Sequence, residues 1–512
     1  MAIANTEMLF FLIKSLTKAE KRSFRLFAHR NADGADLLYM TLFDVIDKAK
    51  TFDEAKIRKE FPKLKTANFT NLKRHLYEQL MICLRLLKKD KQKNIKIREY
   101  IDFAYVLYGK GLQLQALEIL NKARKLASST YSDFSLITII ELEKMIQSRH
   151  ITRSESEPIQ QLVSESTEVG ERINIRIRLS NLRLHLHKMY IEKGHIYDQK
   201  EGDELKQFFN IQLFGIEESD LGVFEKVYYY QSFVWYYYII DDFNSCLKYA
   251  IKWVELFKSS DELQLRDINL FMRGYHYVLT SAFNIRNSSI LEKYLDELEK
   301  LRKEMYSKFN LNSQIISFLY VHTGRMNFHF MKGSFEEGIK GVSRTLTRIS
   351  KYKSKLDIHK IMVLYYKIAW MNLGSMNYST AIKYLNAILN MSDKALREDI
   401  QIYARLMNIM AHYDIEKFNK IQFELLPETN TFFKSCTRIN QVDTLIFEMF
   451  ERVSVAPLMD RKEIFKKYYA KLMDKKDKPY EKRSFVYLDI LFWIESKVKN
   501  VSLSEVIKAQ NY

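Results

Sequence analysis

Residues of the types that make and break bonds are sparse in this 512-residue chain, and their spacing argues against shared sites. His185 and His187 stand two apart, which on a helix sends them to different sides, so a common metal is not expected. His322 and His329 are seven apart and could share a face, but two helical turns are too far for one ion without a third ligand. The pair Asp241-Asp242 would suit acid–base work only if both carboxylates converged. Adjacent residues on a helix diverge, and at a turn such a pair caps the next helix instead. Gly338-Ile339-Lys340-Gly341 lacks the Gly-Lys-Ser/Thr ending of a phosphate loop and a strand before it. There is no His-Glu-x-x-His and no Cys-x-x-Cys. The expectation is a protein that is not an enzyme and uses no cofactor or metal.

Chemistry of another kind sits in the run Tyr228-Tyr229-Tyr230-Gln231-Ser232-Phe233-Val234-Trp235-Tyr236-Tyr237-Tyr238. Tyrosine and tryptophan offer large contact areas with few rotors to freeze and polar tips that tolerate water, so a surface lined with them suits a peptide or a partner helix. Core packing on two helix faces accounts for Tyr230, Phe233, Val234 and Tyr237 without needing the others.

The elements that must position these rings are helices. Five Pro and 14 Gly fall far below the about 5% and 7% of average usage, which excludes turn-rich β-sandwich and doubly wound folds. Five segments stop one helix and start the next alike. In Met331-Lys332-Gly333-Ser334-Phe335-Glu336-Glu337-Gly338 a turn Gly is followed two residues on by an aromatic and three further by a small residue. Tyr378 to Ala381 and Phe243 to Cys246 repeat that spacing, Gly111-Leu112-Gln113 to Ala116 keeps it without the aromatic, and Arg286-Asn287-Ser288 to Leu291 is the weakest copy. Small side chains here let two helices approach closely, as a helix hairpin requires.

Setting Gly111 as a hairpin turn places Tyr100 and Ala104 before it and Ala116, Leu120 and Ala123 after it. The same frame gives Tyr230, Val234, Cys246, Ala250 and Trp253, and again Tyr365, Ala369, Tyr378, Ala381, Leu385 and Ile388. This pattern resembles the tetratricopeptide repeat, although successive small positions at Cys246, Leu291, Gly338 and Ala381 are 45, 47 and 43 apart instead of the family's 34. The opening Leu12-Ile13-Lys14-Ser15-Leu16-Thr17-Lys18-Ala19-Glu20 also resembles the start of an uncharacterised group of bacterial repeat proteins, which implies no activity. The resemblance implies an all-α, tetratricopeptide-like solenoid of long hairpins. The expected organisation is a basic N-terminal helical unit (1–95), repeats (96–428) and a C-terminal helical cap (429–512), with Arg149 to Gly170 as an exposed connection or irregular repeat. In that frame Tyr105, Tyr108, Tyr228, Trp235, Tyr238, Asn327, Phe330, Tyr366 and Trp370 face the concave groove and would hold a protein or peptide partner in a scaffold or adaptor role.

A nucleic-acid reading competes for the N-terminal unit. Thr17-Lys18-Ala19-Glu20 is a capping-box pattern, helices are predicted over about 36–48, from Phe52 and over about 67–89, and the last two resemble a helix-turn-helix. Lys63, Lys65, Lys73 and Arg74 would then meet phosphates in a transcriptional or RNA-associated regulator. Against it, Leu72, Leu76, Leu80, Cys83, Leu84 and Leu87 form a stripe typical of a core helix. The net charge of +18 is concentrated at the ends: 22 Lys and Arg against 12 Asp and Glu in residues 1–100, 14 against 9 in 451–512, and 45 against 42 between. No segment reads as transmembrane, the Met8–Ile13 run lacks the flanks of a signal peptide, and three dispersed Cys suit a reducing compartment, so a cytoplasmic protein is expected.

Overall fold

The computed structural model describes residues 6–30, 38–51, 53–54, 69–90, 92–149, 156–196, 198–352, 356–391, 397–436, 439–478 and 481–510. Every element among them is helical. The chain divides into two compact units, 1–171 and 172–512.

In the first unit, α1 (Thr6–Ser15), α2 (Lys18–Arg30), α3 (Leu38–Lys48) and α4 (Phe69–Lys88) enclose a core of their own around Ile13, Phe24, Phe43, Phe69, Leu76 and Leu80. The capping box forms: the Thr17 amide donates to Glu20 Oε2 at 2.8 Å, and the Glu20 amide donates to Thr17 Oγ1 at 3.2 Å. The predicted helix from Phe52 lies outside the described residues. On α4, Leu76, Leu80 and Cys83 are buried, whereas Leu72 and Leu84 are half-buried and Leu87 is exposed, so the stripe is core at its centre only. Then α5 (Lys93–Gly109), α6 (Gln113–Ser129) and α7 (Asp133–Arg149) pack in succession, with Ala104, Ala116, Leu120 and Ala123 fully buried at their contact. The stretch expected as a connection or irregular repeat is helical from Ser156 onward, where α8 runs without a break over Ser156–Lys193. Arg124 of α6 explains part of this: it pairs with both Glu143 of α7 and Glu165 of α8.

The second unit starts within α8 and continues through α9 (Gln199–Leu213), followed by four hairpins. These are α10 (Val223–Ile239) with α11 (Phe243–Lys258), α12 (Ile268–Asn284) with α13 (Ser288–Met305), α14 (Leu311–Lys332) with α15 (Phe335–Tyr352), and α16 (Ile358–Gly374) with α17 (Tyr378–Leu389). Then α18 (Glu398–Asp414) packs on α17, and α12, α14, α16 and α18 also touch each other in series. The chain ends in α19 (Leu426–Ser435), α20 (Gln441–Val455), α21 (Leu458–Met473), α22 (Lys482–Tyr487), α23 (Ile490–Lys499) and α24 (Leu503–Gln510), which share one core with α14 to α18. The last segment reaches back across helix ends. Asp489 pairs with Arg286, the Trp493 indole donates to Asp414 at 3.1 Å, and Ser504 donates to the Gly333 carbonyl at 2.6 Å.

Two kinds of connection alternate. Within hairpins the stop is a residue in the left-handed region two positions before the next helix: Gly111, Tyr131, Asp241, Arg286, Gly333, Met376 and Glu416 all have φ between 53° and 76°. In each, this residue's amide bonds the carbonyl three back and the following amide bonds the carbonyl five back, as in Met376 to Leu373 (3.0 Å) and Asn377 to Asn372 (2.8 Å). Between hairpins the next helix begins on a side-chain cap instead: Asp267 accepts from Leu270, Asn310 from Ser313 and Asp357 from His359, each at 2.9 Å.

The tight hairpins leave no space at their crossings. A Cβ on Gly374 would run into the fully buried Phe335 ring, so Gly374→Ala should cost about 1–3 kcal/mol. Two residues on, Met376 is exposed and holds φ 62°, a conformation that costs a residue with a Cβ about 1 kcal/mol, so Met376→Gly should be neutral or stabilising. Urea unfolding of the two variants beside wild type checks the opposite signs.

Candidate functional site

Within the second unit a band of rings and cations crosses from helix to helix. Tyr190 of α8 meets Trp235 and Tyr238 of α10, both at 5.4 Å between ring centroids. Trp235 stands edge-on to His187 at 4.9 Å and to Tyr277 of α12 at 5.6 Å. His276 beside it stacks on Tyr320 of α14 at 4.4 Å and 8°. Further along, Lys367 of α16 donates to Asn327 Oδ1 at 2.6 Å and lies over the Phe283 and Phe330 rings. The Tyr366 hydroxyl donates to the Tyr487 carbonyl at 2.7 Å, and Arg397 at the head of α18 donates to Tyr487, to His359 and, through two nitrogens, to Asp399 at 2.6 and 2.7 Å. The helical period brings these together, because residues three, four and seven apart share a face: Arg183 with His187 and Tyr190, Arg273 with His276 and Tyr277, and Tyr320 with Asn327.

Electrostatically the band is cationic. Burial lowers the guanidinium of Arg183, and the neighbouring charge of Arg273 lowers it further. Burial, then Arg273, Lys367 and Lys360, push His276 down to about 3, so it is neutral at pH 7. Burial brings Lys367 down to about 8 against a weaker opposing pull from Asp489. Asp489 and Asp399 are already engaged by Arg286 and Arg397. Yet Arg183, Tyr190, Tyr238, Arg273, His276, Tyr320 and Lys367 all keep part of their surface accessible, so the band is a lining and not a sealed core.

The sequence-predicted groove residues divide. Trp235 and Tyr238 belong to the band, Tyr228 is half-buried beneath Arg183, and Asn327, Phe330 and Tyr366 are buried in its floor. Trp370 is buried in the core shared with the C-terminal helices. Tyr105 and Tyr108 lie in the other unit, Tyr105 half exposed at 51% and Tyr108 3.4 Å from an Arg149 nitrogen. Sequence reading missed Arg183, Tyr190, Arg273, His276, Tyr277, Tyr320 and Lys367. Their one local signal is a charged or polar residue one turn from a ring, which recurs throughout the chain.

The histidine and aspartate candidates have local partners. His322 Nδ1 lies 2.7 Å from Thr345 Oγ1, and His329 Nδ1 2.9 Å from Ser334 Oγ. Asp242 caps α11 by accepting from Ser245 at 3.1 Å, and Asp241 lies 2.7 Å from His195. Among the described residues no group of three or more His, Cys, Asp or Glu is placed to hold a metal ion, and no helix is long and apolar enough to cross a membrane. Cys83 and Cys246 are buried, Cys436 is half-buried, and burial pushes the Cys246 thiol up to about 12 and Cys436 to about 11.

Of the nucleic-acid candidates, Lys63 and Lys65 lie outside the described residues, Lys73 pairs with Glu54 at 2.9 Å, and Arg74 is exposed. Nearby Lys21 and Arg25 are also engaged, with Asp47 and Asp44 on α3. Comparison with family models, curated proteins and solved structures finds no match for this chain.

Lys367 offers a direct test of the burial. Folded, it titrates near 8 against 10.5 when free, so the unfolded chain binds more protons between those values and its contribution to stability rises with pH across that window. Below pH 8 the cost of the buried charge is fully present. Lys367→Met should therefore stabilise the protein at pH 7 by on the order of 1–2 kcal/mol and lose that advantage toward pH 10. Denaturant midpoints of both proteins measured from pH 7 to 9.5 would show the two curves converging.

Proposed function

We propose that this chain is a non-catalytic binding protein of tetratricopeptide-like, solenoid design. It works in the cytoplasm as a scaffold or adaptor, and it takes an extended peptide segment of a protein partner along the ring-and-cation band of its second unit. One observation carries this reading: partly accessible Tyr, His, Arg and Lys side chains form a continuous lining across α8, α10, α12, α14 and α16. A structural core at those positions has no need of cations. Buried cations there cost stability, as at the Arg183 Nε that has no acceptor and at the desolvated Lys367, which a ligand offsets when it supplies partners.

The arrangement favours a peptide over a nucleic-acid strand. Base stacking needs open ring faces, but here the rings meet each other edge-on, and His276 and Tyr320 already occupy one another's faces. Residues 101–450 also carry a net charge of only +3, too little for a backbone-tracking groove. Peptide chemistry suits the lining better: edge and hydroxyl contacts bind side chains and amides, and scattered cations select acidic residues.

Panning a random-peptide display library on the full chain tests this. Enriched peptides should bind wild type and weaken at least about tenfold with Tyr238→Ala or Tyr320→Ala, both partly accessible positions, in variants whose helicity and melting match wild type, with Tyr238→Phe and Tyr320→Phe, which keep the ring, as the milder pair. No enrichment, or equal binding by both variants, overturns the proposal.

A further inference from the structure

The corner between α20 and α21 leaves apolar side chains uncovered. Val455 is 62% exposed, Leu458 79% and Met459 90%. On either side of them the chain is core, with Val453, Phe465 and Leu472 buried. The corner is held in this posture by one side chain. Arg461 Nε donates to the Ala456 carbonyl at 2.9 Å, and its guanidinium lies 3.9 Å from the centroid of the Phe418 ring. That clamp fixes the link at Ala456 on the body of the protein, and Leu458 and Met459 open α21 in solvent.

Along its length α21 continues the surface. Met459, Lys462, Lys466, Ala470 and Met473 recur three or four apart and are all exposed, opposite the buried Phe465, Tyr468 and Leu472. Residues 458–478 hold eight Lys and Arg against four Asp and Glu, a net +4 where all of residues 101–450 carry +3. Glu463 engages Lys466 and Asp474 engages Lys478, whereas among the described residues Lys462 and Lys467 have no carboxylate partner.

Aliphatic side chains at a fixed corner, beside flexible lysines, suit one kind of occupant. Protein interfaces favour aromatic and Arg side chains and are depleted of Lys. A nucleic-acid strand needs ring faces for its bases, and Val455, Leu458 and Met459 offer none. An anionic bilayer takes both parts at once. Aliphatic side chains leave water for the acyl boundary, while lysine stems lie along it with their ammonium groups at the charged headgroups. We propose that the corner and the exposed face of α21 dock on an anionic lipid bilayer, with Leu458 and Met459 inserting and Lys462 and Lys467 meeting headgroups. This docking surface is separate from the peptide band, whose residues lie on other helices.

Flotation of the full chain with vesicles tests this, comparing pure phosphatidylcholine with a mixture of phosphatidylcholine and phosphatidylserine. Binding to the mixed vesicles should be at least about tenfold tighter than to the neutral ones and should weaken as salt rises. Leu458→Asp and Met459→Asp should each weaken it about tenfold or more, with melting unchanged because both side chains are exposed. Should an aspartate variant fail to fold, Leu458→Ser and Met459→Ser remove the apolar contact without adding charge, and weaker binding is again expected. Lys462→Glu combined with Lys467→Glu should lower affinity for the mixed vesicles and leave that for the neutral ones unchanged. No binding to the mixed vesicles, equal binding to both kinds, or undiminished binding by the aspartate and serine variants overturns the proposal. So does an oligomer that Met459→Asp disperses while wild type ignores vesicles, since the corner would then be a contact between copies of the chain.

Discussion

A helix that ends in a left-handed residue with two backbone bonds turning back on it has its exit direction fixed, and this stop recurs from Gly111 to Glu416. Because the next helix starts two residues later, its first turn lies against the last turn of the one before, and small residues such as Ala116, Cys246 and Ala381 are needed where the backbones meet. The longer, side-chain-capped links at Asp267, Asn310 and Asp357 then return the chain to start another first helix beside the last. Everything in the band depends on that return, which sets α12, α14, α16 and α18 side by side.

Side-by-side first helices create a lining whose composition departs from an ordinary core. Around Phe257, Leu263 and Leu298 the second unit is packed with aliphatic and aromatic side chains, and the buried Trp253 indole nitrogen among them has no hydrogen-bond acceptor. Along the band, hydroxyls, imidazoles and cations are crowded together and partly desolvated, and their proton equilibria shift as burial demands: tyrosines upward, His276 and Lys367 downward. The C-terminal segment adds to this crowding, since Tyr487 and Asp489 come from it and the Arg286–Asp489 pair ties it to the end of α12.

Legibility from sequence followed the range of the interaction. The Thr17–Glu20 box and the Asp242 cap span three residues and were readable as spacing. The hairpin stop was readable where Gly or the aromatic-to-small spacing marked it, but Tyr131 and Glu416 adopt the same conformation with neither mark, because tertiary packing of the flanking helices overrides the intrinsic cost. Of the two readings of Arg149 to Gly170, an exposed connection or an irregular repeat, the connection does not hold from Ser156 onward, for a related reason. Its Ser- and Glu-rich composition suits a loop, yet Arg124 recruits Glu165 into the side of a helix. In the candidate site, Trp235 and Tyr238 stood out by density, whereas Arg183 and Arg273 are ordinary arginines on ordinary helical faces until the fold sets one over the Tyr228 ring and the other beside Tyr320.

By itself the sequence determined an all-helical chain, the positions of most hairpin turns and the small residues at their crossings, since these are set by local propensity, short-range capping and sterics within a few residues. Only the tertiary structure decided which rings line a surface and which fill the core, and which charges find partners. Those outcomes depend on distances between residues of different hairpins, and a helical period fixes the face a side chain occupies but not what stands opposite it.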